Sequence, residues 1–179
     1  MQIMEVDTVP RPVPPKNAQH SAPAVLDGTD LAILAELQVD GRLTNAALAG
    51  RVSIAESTCI NRVRALREAG VIRGFHAELD LASLGLPIQA VIKIRLGSHS
   101  REHVRSFHDM LRDIPGVITA FHVAGEDDYL LHVAVDSPEA LRDLVLEHIT
   151  VNPVVRHTET TLVFEVLAGT GPLPGRQAR

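Results

Sequence analysis

The 179-residue chain has no tryptophan, one tyrosine and only 3% aromatic residues. Its cores must therefore be built from Leu, Ile, Val and Ala. A single cysteine, Cys59, excludes an intrachain disulfide and reads as a cytoplasmic setting. No apolar run approaches the roughly 20 residues of a membrane span. The N-terminus lacks a basic segment followed by an apolar one, so no secretory signal is expected. Nine histidines are present, but none belongs to a compact set of three or four metal ligands. His99 and His103, at i, i+4 spacing, come nearest, and neither a metal nor another cofactor is expected. A nucleophile–base spacing, a phosphate-cradling glycine loop and an isolated carboxylate pair are also missing, which argues against catalysis.

The net charge of −5 at first argues against nucleic acid. Its distribution reverses the argument. Residues 42–73 hold six arginines and two glutamates, 6 − 2 = +4, whereas residues 81–166 hold seven Lys/Arg and twelve Asp/Glu, 7 − 12 = −5. A basic segment on an acidic body can bind phosphates locally.

Residues 1–25, with Pro10, Pro12, Pro14, Pro15 and Pro23, read as a disordered tail, and 168–179 as a flexible one. Between them the hydrophobic period changes once. In 26–70 three short helices are expected. The first is capped by Asp27 or Thr29 and carries Leu31, Leu34 and Leu37; Asp40-Gly41 stops it. Thr44 caps the second, with Ala47 and Leu48 inward. Ser53 and Glu56 suggest a capping box for the third, which buries Cys59, Val63 and Leu66 and ends at Gly70. A linking strand is expected within 71–86.

Residues 87–167 alternate as strands around two helical stripes, in the order β-α-β-β-α-β. This is an α+β, ferredoxin-like arrangement. Apolar residues on both sides of the hairpin strands, such as Leu130 and Leu131, predict that the uncovered sheet face packs on another subunit.

Three helices with a tight turn before the last form a helix-turn-helix, whose final helix lies in the major groove. With Cys59, Val63 and Leu66 inward, that helix presents Ser57, Thr58, Asn61 and Arg64 outward. Hydroxyls, an amide and a guanidinium suit phosphate and base-edge hydrogen bonds. Arg51 and Arg62 join the candidate set, with Arg62 also able to reach an internal carboxylate.

The run Leu26-Asp27-Gly28-Thr29-Asp30-Leu31-Ala32-Ile33-Leu34 resembles the opening signature of the Lrp/AsnC, or feast/famine, regulators. Leu37-Gln38, Asp40-Gly41-Arg42, Leu48-Ala49, Arg62-Val63, Gly70-Val71-Ile72, Leu84-Gly85-Leu86 and Gly125-Glu126-Asp127-Asp128-Tyr129-Leu130-Leu131 follow in the family's order, across 26–166. The resemblance implies a winged-type helix-turn-helix on a ferredoxin-like effector domain. It implies double-stranded DNA as partner, homodimers often assembled into octamers, and an amino-acid effector. It places that effector near the 125–129 turn, where Gly125 admits close backbone approach, Asp128 accepts from an ammonium, and Tyr129 and Leu130 wall the side chain. Thr158 and Thr160 offer hydroxyls. Asp128, in a polar turn, is expected to serve the ligand rather than the fold. Two departures stand out: Ala55 where relatives start the recognition helix with Ser, and Ala124 where they often carry Thr. The competing reading is a stand-alone oligomeric ligand-binding module with no DNA role.

Overall fold

A computed structural model describes residues 25–97, 100–169 and 171–173. All but the last residue of the Pro-rich stretch 1–25 lies outside these, as does His99. The chain divides into two compact units, Met1–His76 with Gly169–Arg179, and Ala77–Ala168.

The first unit contains α1 (Gly28–Val39), α2 (Asn45–Val52) and α3 (Glu56–Glu68). Asp27 caps α1 reciprocally. Its Oδ1 accepts from Asp30 N–H at 2.8 Å, and Asp30 Oδ2 accepts from Asp27 N–H at 3.2 Å. After α1 the Asp40 carboxylate accepts from Arg42 N–H at 2.9 Å, which makes the turn. Thr44 caps α2 through Ala47 N–H. Gly70 follows α3 with φ 71°, and the N–H groups of Val71 and Ile72 both close on Leu66 O.

The core of this unit is Ile33, Leu48, Ala49, Cys59 and Leu66, with Leu34, Leu37, Val63, Val71 and Ile72 packed around it. Two inward assignments change. Ile33 is the buried residue of α1, while Leu31 stays 42% exposed. Ala49, not Ala47, joins Leu48 inside, because the inward stripe of α2 runs through Leu48, Ala49 and Val52. The α3 stripe lies where the spacing predicts. The linking strand does not form: residues 73–80 pair with no strand among the described residues, and 81–85 turn. Val71 and Ile72 instead seal the helical core.

The capping box expected at Ser53 is also absent. Ser53 ends α2 in the left-handed region, φ 58° and ψ 47°, and the N-cap of α3 is Ala55, with no side-chain hydrogen bond. Glu56 in the first turn favours the helix dipole but leaves the cap open. Ala55→Ser should therefore stabilise this unit by about 0.5–2 kcal/mol. A thermal melt that shows no rise would mean that solvent already satisfies the first turn.

The second unit contains β1 (Ile88–Leu96), α4 (Arg101–Leu111), β2 (Val117–His122), β3 (Tyr129–Val135), α5 (Pro138–Asp143) running on into a π-helical turn (Leu144–Ile149), and β4 (Val155–Val163). Ser100 and Ser137 cap the two helices, and Pro138 opens α5. The sheet order is β2-β3-β1-β4, with every neighbouring pair antiparallel. This is the ferredoxin-like βαββαβ fold. Ala90, Ile92, Ile94 and Leu96 alternate into a core with Phe107, Leu111, Tyr129, Leu131, Val133, Leu144 and Ile149. Gln89, Val91, Lys93 and Arg95 point to the opposite, open face of the sheet.

Candidate DNA-binding surface and ligand-binding sheet face

On α3, Ser57, Thr58, Asn61 and Arg64 are all exposed, and the helical period lines them along one side, away from Cys59 and Leu66. Hydroxyls and an amide stand on the first two turns, and a guanidinium stands one turn later. That order offers short polar groups near the helix N-terminus and a long reach beyond.

Arg62 belongs to the fold instead. Its Nη1 donates to Asp27 Oδ2 at 2.7 Å and to Asp30 Oδ1 at 2.8 Å, joining α3 to the cap of α1. Arg51, on α2, likewise pairs with Glu36 at 3.0 Å. Both are candidates for the DNA face, and for Arg62 the internal carboxylate is its other expected partner. Internal carboxylates compete for them because α1 ends its first turn and its third turn in acids beside α2 and α3.

The Arg62 bridge has a pH signature. The Asp30 N–H, and next the Arg62 guanidinium, hold the Asp27 carboxyl below its ordinary value of 3.8. A depressed folded-state value stabilises above the unfolded value and is lost as pH falls through the folded one. The melting temperature of the N-terminal unit should thus drop on acidification below about pH 4. Arg62→Gln should flatten that drop, and a wild-type acid limb retained in the variant would refute the coupling. The bridge is partly solvated, with Arg62 32% and Asp27 52% exposed, so its effect is screened by salt.

In the second unit the predicted effector residues do not converge on one face. Cross-strand partners share a face. Tyr129 and Thr158 both pair with Ile94, and Thr160 pairs with Ile92, so all three lie on the helix-covered side. Leu130 pairs with Lys93 and lies on the open side. Tyr129 is a core residue, 1% exposed, rather than a pocket wall. Its ring packs edge-on to Phe107 with centroids 5.3 Å apart and stacks on His122 at 4.7 Å. Burial, and then the Asp128 charge, push its phenol above the usual range. Gly125 has φ +152°, which few side-chain-bearing residues adopt, yet a Cβ there would meet nothing within 4 Å. It serves the turn's backbone rather than a close approach within the subunit.

Asp128 is likewise engaged by the fold. Its Oδ2 accepts from Leu96 N–H at 2.7 Å, and its own N–H donates to Ile94 O at 2.9 Å. The turn is thereby pinned to the end of β1.

Sequence reasoning missed the charged groups around it. Arg95 Nη2 lies 2.6 Å from Glu126 and 3.8 Å from Asp127, and its buried Nε makes no hydrogen bond. Lys93 pairs with Glu159 at 2.9 Å, which holds the Glu159 carboxyl below its usual range. Their signal was available: Lys93 and Arg95 are the outward positions of an alternating strand. The open face is therefore divided. Val91, Phe121, Leu130 and Val163 give it apolar surface, and Lys93, Arg95, Glu126, Asp127 and Glu159 give it a charged end.

Among the described residues, no group of three or more His, Cys, Asp or Glu could hold a metal ion, and no helix is long and apolar enough to cross a membrane.

Residues 26–73 match the family model described as winged helix-turn-helix DNA-binding, and residues 89–173 match the Lrp/AsnC ligand binding domain. The chain is 46% identical over 148 residues to the HTH-type transcriptional regulator AldR of Mycolicibacterium smegmatis, covering 83% of this chain and 86% of that one. It is 39% identical over 139 residues to the leucine-responsive regulatory protein of Rhizobium meliloti, covering 78% and 89%. Its fold resembles that of a Neisseria meningitidis transcriptional regulator solved in complex with L-Met, with TM-score 0.76 and 33% identity over 83% of this chain and 96% of that one. Fold and matches together define a DNA-binding transcriptional regulator that carries its own ligand-binding domain. The chain belongs to the Lrp/AsnC family.

Proposed function

We propose that this regulator reads DNA through Ser57, Thr58, Asn61 and Arg64, and that an amino acid bound at the charged end of its open sheet face controls it. The observation that carries the effector reading is the juxtaposition of Arg95 with Glu126 and Asp127 on the turn. A free amino acid is a zwitterion. It needs a cation for its carboxylate and acceptors for its ammonium, and both stand within one salt-bridge distance here. Leu130 and Phe121 supply neighbouring apolar surface for a side chain. The bound L-Met of the Neisseria relative and the name of the leucine-responsive relative support this ligand class. Asp128 then acts as a positioning residue, and Thr158 and Thr160 reach a ligand only from a second copy.

The competing reading, a ligand-binding module without a DNA role, loses its ground with the match of 26–73 to a DNA-binding model. The exposed Phe121, Leu162 and Phe164 favour a homodimer or a larger even assembly in the cytoplasm. Light scattering that returned a monomer at micromolar concentration would overturn that assembly.

The effector test is calorimetric titration of L-amino acids into the wild type and into Asp127→Asn. Millimolar or tighter binding that weakens in the variant is expected. No binding of any amino acid to the wild type would end the amino-acid reading and leave the DNA-binding one intact.

A further inference from the structure

The C-terminal segment does not read as structure, being short and rich in Gly and Pro, yet part of it belongs to the DNA-binding unit. A cleft of about 400 Å³ on that unit is lined by Leu31, Ala32, Ala35 and Glu36 of α1, by Arg51, Val52 and Ser53 at the end of α2, and by Leu173. Leu173 is half-buried there, while Gly171 and Pro172 are exposed. Two residues earlier Gly171 lies against the Gln38 side chain of α1. A Cβ on Gly171 would fall 1.9 Å from Gln38 Nε2 and 2.5 Å from Gln38 Cδ, and its φ of +79° is itself a glycine conformation. Leu31, which the α1 pattern placed inside, lines the same cleft.

We propose that residues 171–173 are a strap, with Leu173 as its anchor, and that this chain's own C-terminal segment closes one side of the α1–α2 cleft. Two features carry this: Leu173 is half-buried and lines one cleft with three apolar residues of α1, and Gly171, in a glycine conformation, lies against the Gln38 side chain of α1. The strap follows β4 by a few residues, so it runs covalently from the ligand-binding sheet to the helices that present α3. Leu173 borders about 400 Å³ of free space in this cleft, so a bulkier apolar anchor fits as well.

Hydrogen exchange on the full-length chain tests this. In Leu173→Asp the amides of α1 and of the last turn of α2 should exchange about tenfold faster, the effect of losing part of a leucine's burial. Leu173→Phe should keep wild-type protection, and a chain ending at Ala168 should match Leu173→Asp. Unchanged α1 exchange in both Leu173→Asp and the shortened chain would overturn the proposal. So would faster exchange spread equally to β1, which would mark a general loss of stability, and so would loss of protection in Leu173→Phe.

Discussion

Asp128→Ala is expected to destabilise the C-terminal unit by about 1–3 kcal/mol, the cost of leaving a buried donor unsatisfied. The donor is the N–H of Leu96, a residue 3% exposed at the end of the central strand. No water reaches it easily, and β1 is irregular between Arg95 and Leu96, so the strand ladder does not offer a substitute acceptor. The Asp128 backbone would still donate to Ile94 O, so the turn should loosen rather than unfold. Asp128→Asn keeps a side-chain carbonyl as acceptor and should recover a good part of the loss. Chemical denaturation measures both. An alanine variant with the wild-type midpoint would show that the turn holds without its carboxylate. Ligand affinity would fall in the alanine variant as well, but only because the charged end of the sheet is displaced.

Arg64→Ala should weaken binding to the preferred duplex by about 1–3 kcal/mol, which is roughly ten- to a hundredfold or slightly more. Arg64 stands on the outward side of α3, one turn beyond Asn61, where a long side chain reaches a base edge or a phosphate. Titration of a preferred and a random duplex separates the two. Loss confined to the preferred duplex indicates base reading. Equal loss on both, with the salt dependence shallower by about one ion, indicates a phosphate contact. No change on either duplex would remove Arg64 from the groove face. Arg62 provides the contrast, since its loss should first lower the stability of the N-terminal unit above about pH 4, where the Asp27 carboxylate is charged.

Element order was legible because the period of apolar residues changes from helical to alternating where the units change. The α3 stripe of Cys59, Val63 and Leu66 lies where spacing puts it, and so do Phe107 and Leu111 on α4. Failures came where a third party competes for a residue. Leu31 satisfies the α1 period, but it lines a surface cleft together with Leu173 and stays outside the core. Charge alone could not show that Arg51 also has Glu36, and Arg62 both Asp27 and Asp30, as partners within the fold. Residues on adjacent positions of one strand, such as Tyr129 and Leu130, cannot share a pocket within one subunit. Period-two geometry forbids it, whatever the chemistry of the side chains.

The strand order also governs the sequence of events during synthesis. β1 is the first strand to leave the ribosome and a central strand of the sheet, and its neighbours β3 and β4 both arrive later. Its two rows of backbone groups therefore wait for chain not yet made, the second until β4 emerges near the C-terminus. The three N-terminal helices make contacts close in sequence and can fold while the sheet is still incomplete. The nascent protein thus passes through an interval in which folded DNA-binding helices, still without their C-terminal segment, are joined to an unfinished ligand-binding domain with an unpaired, aggregation-prone central strand.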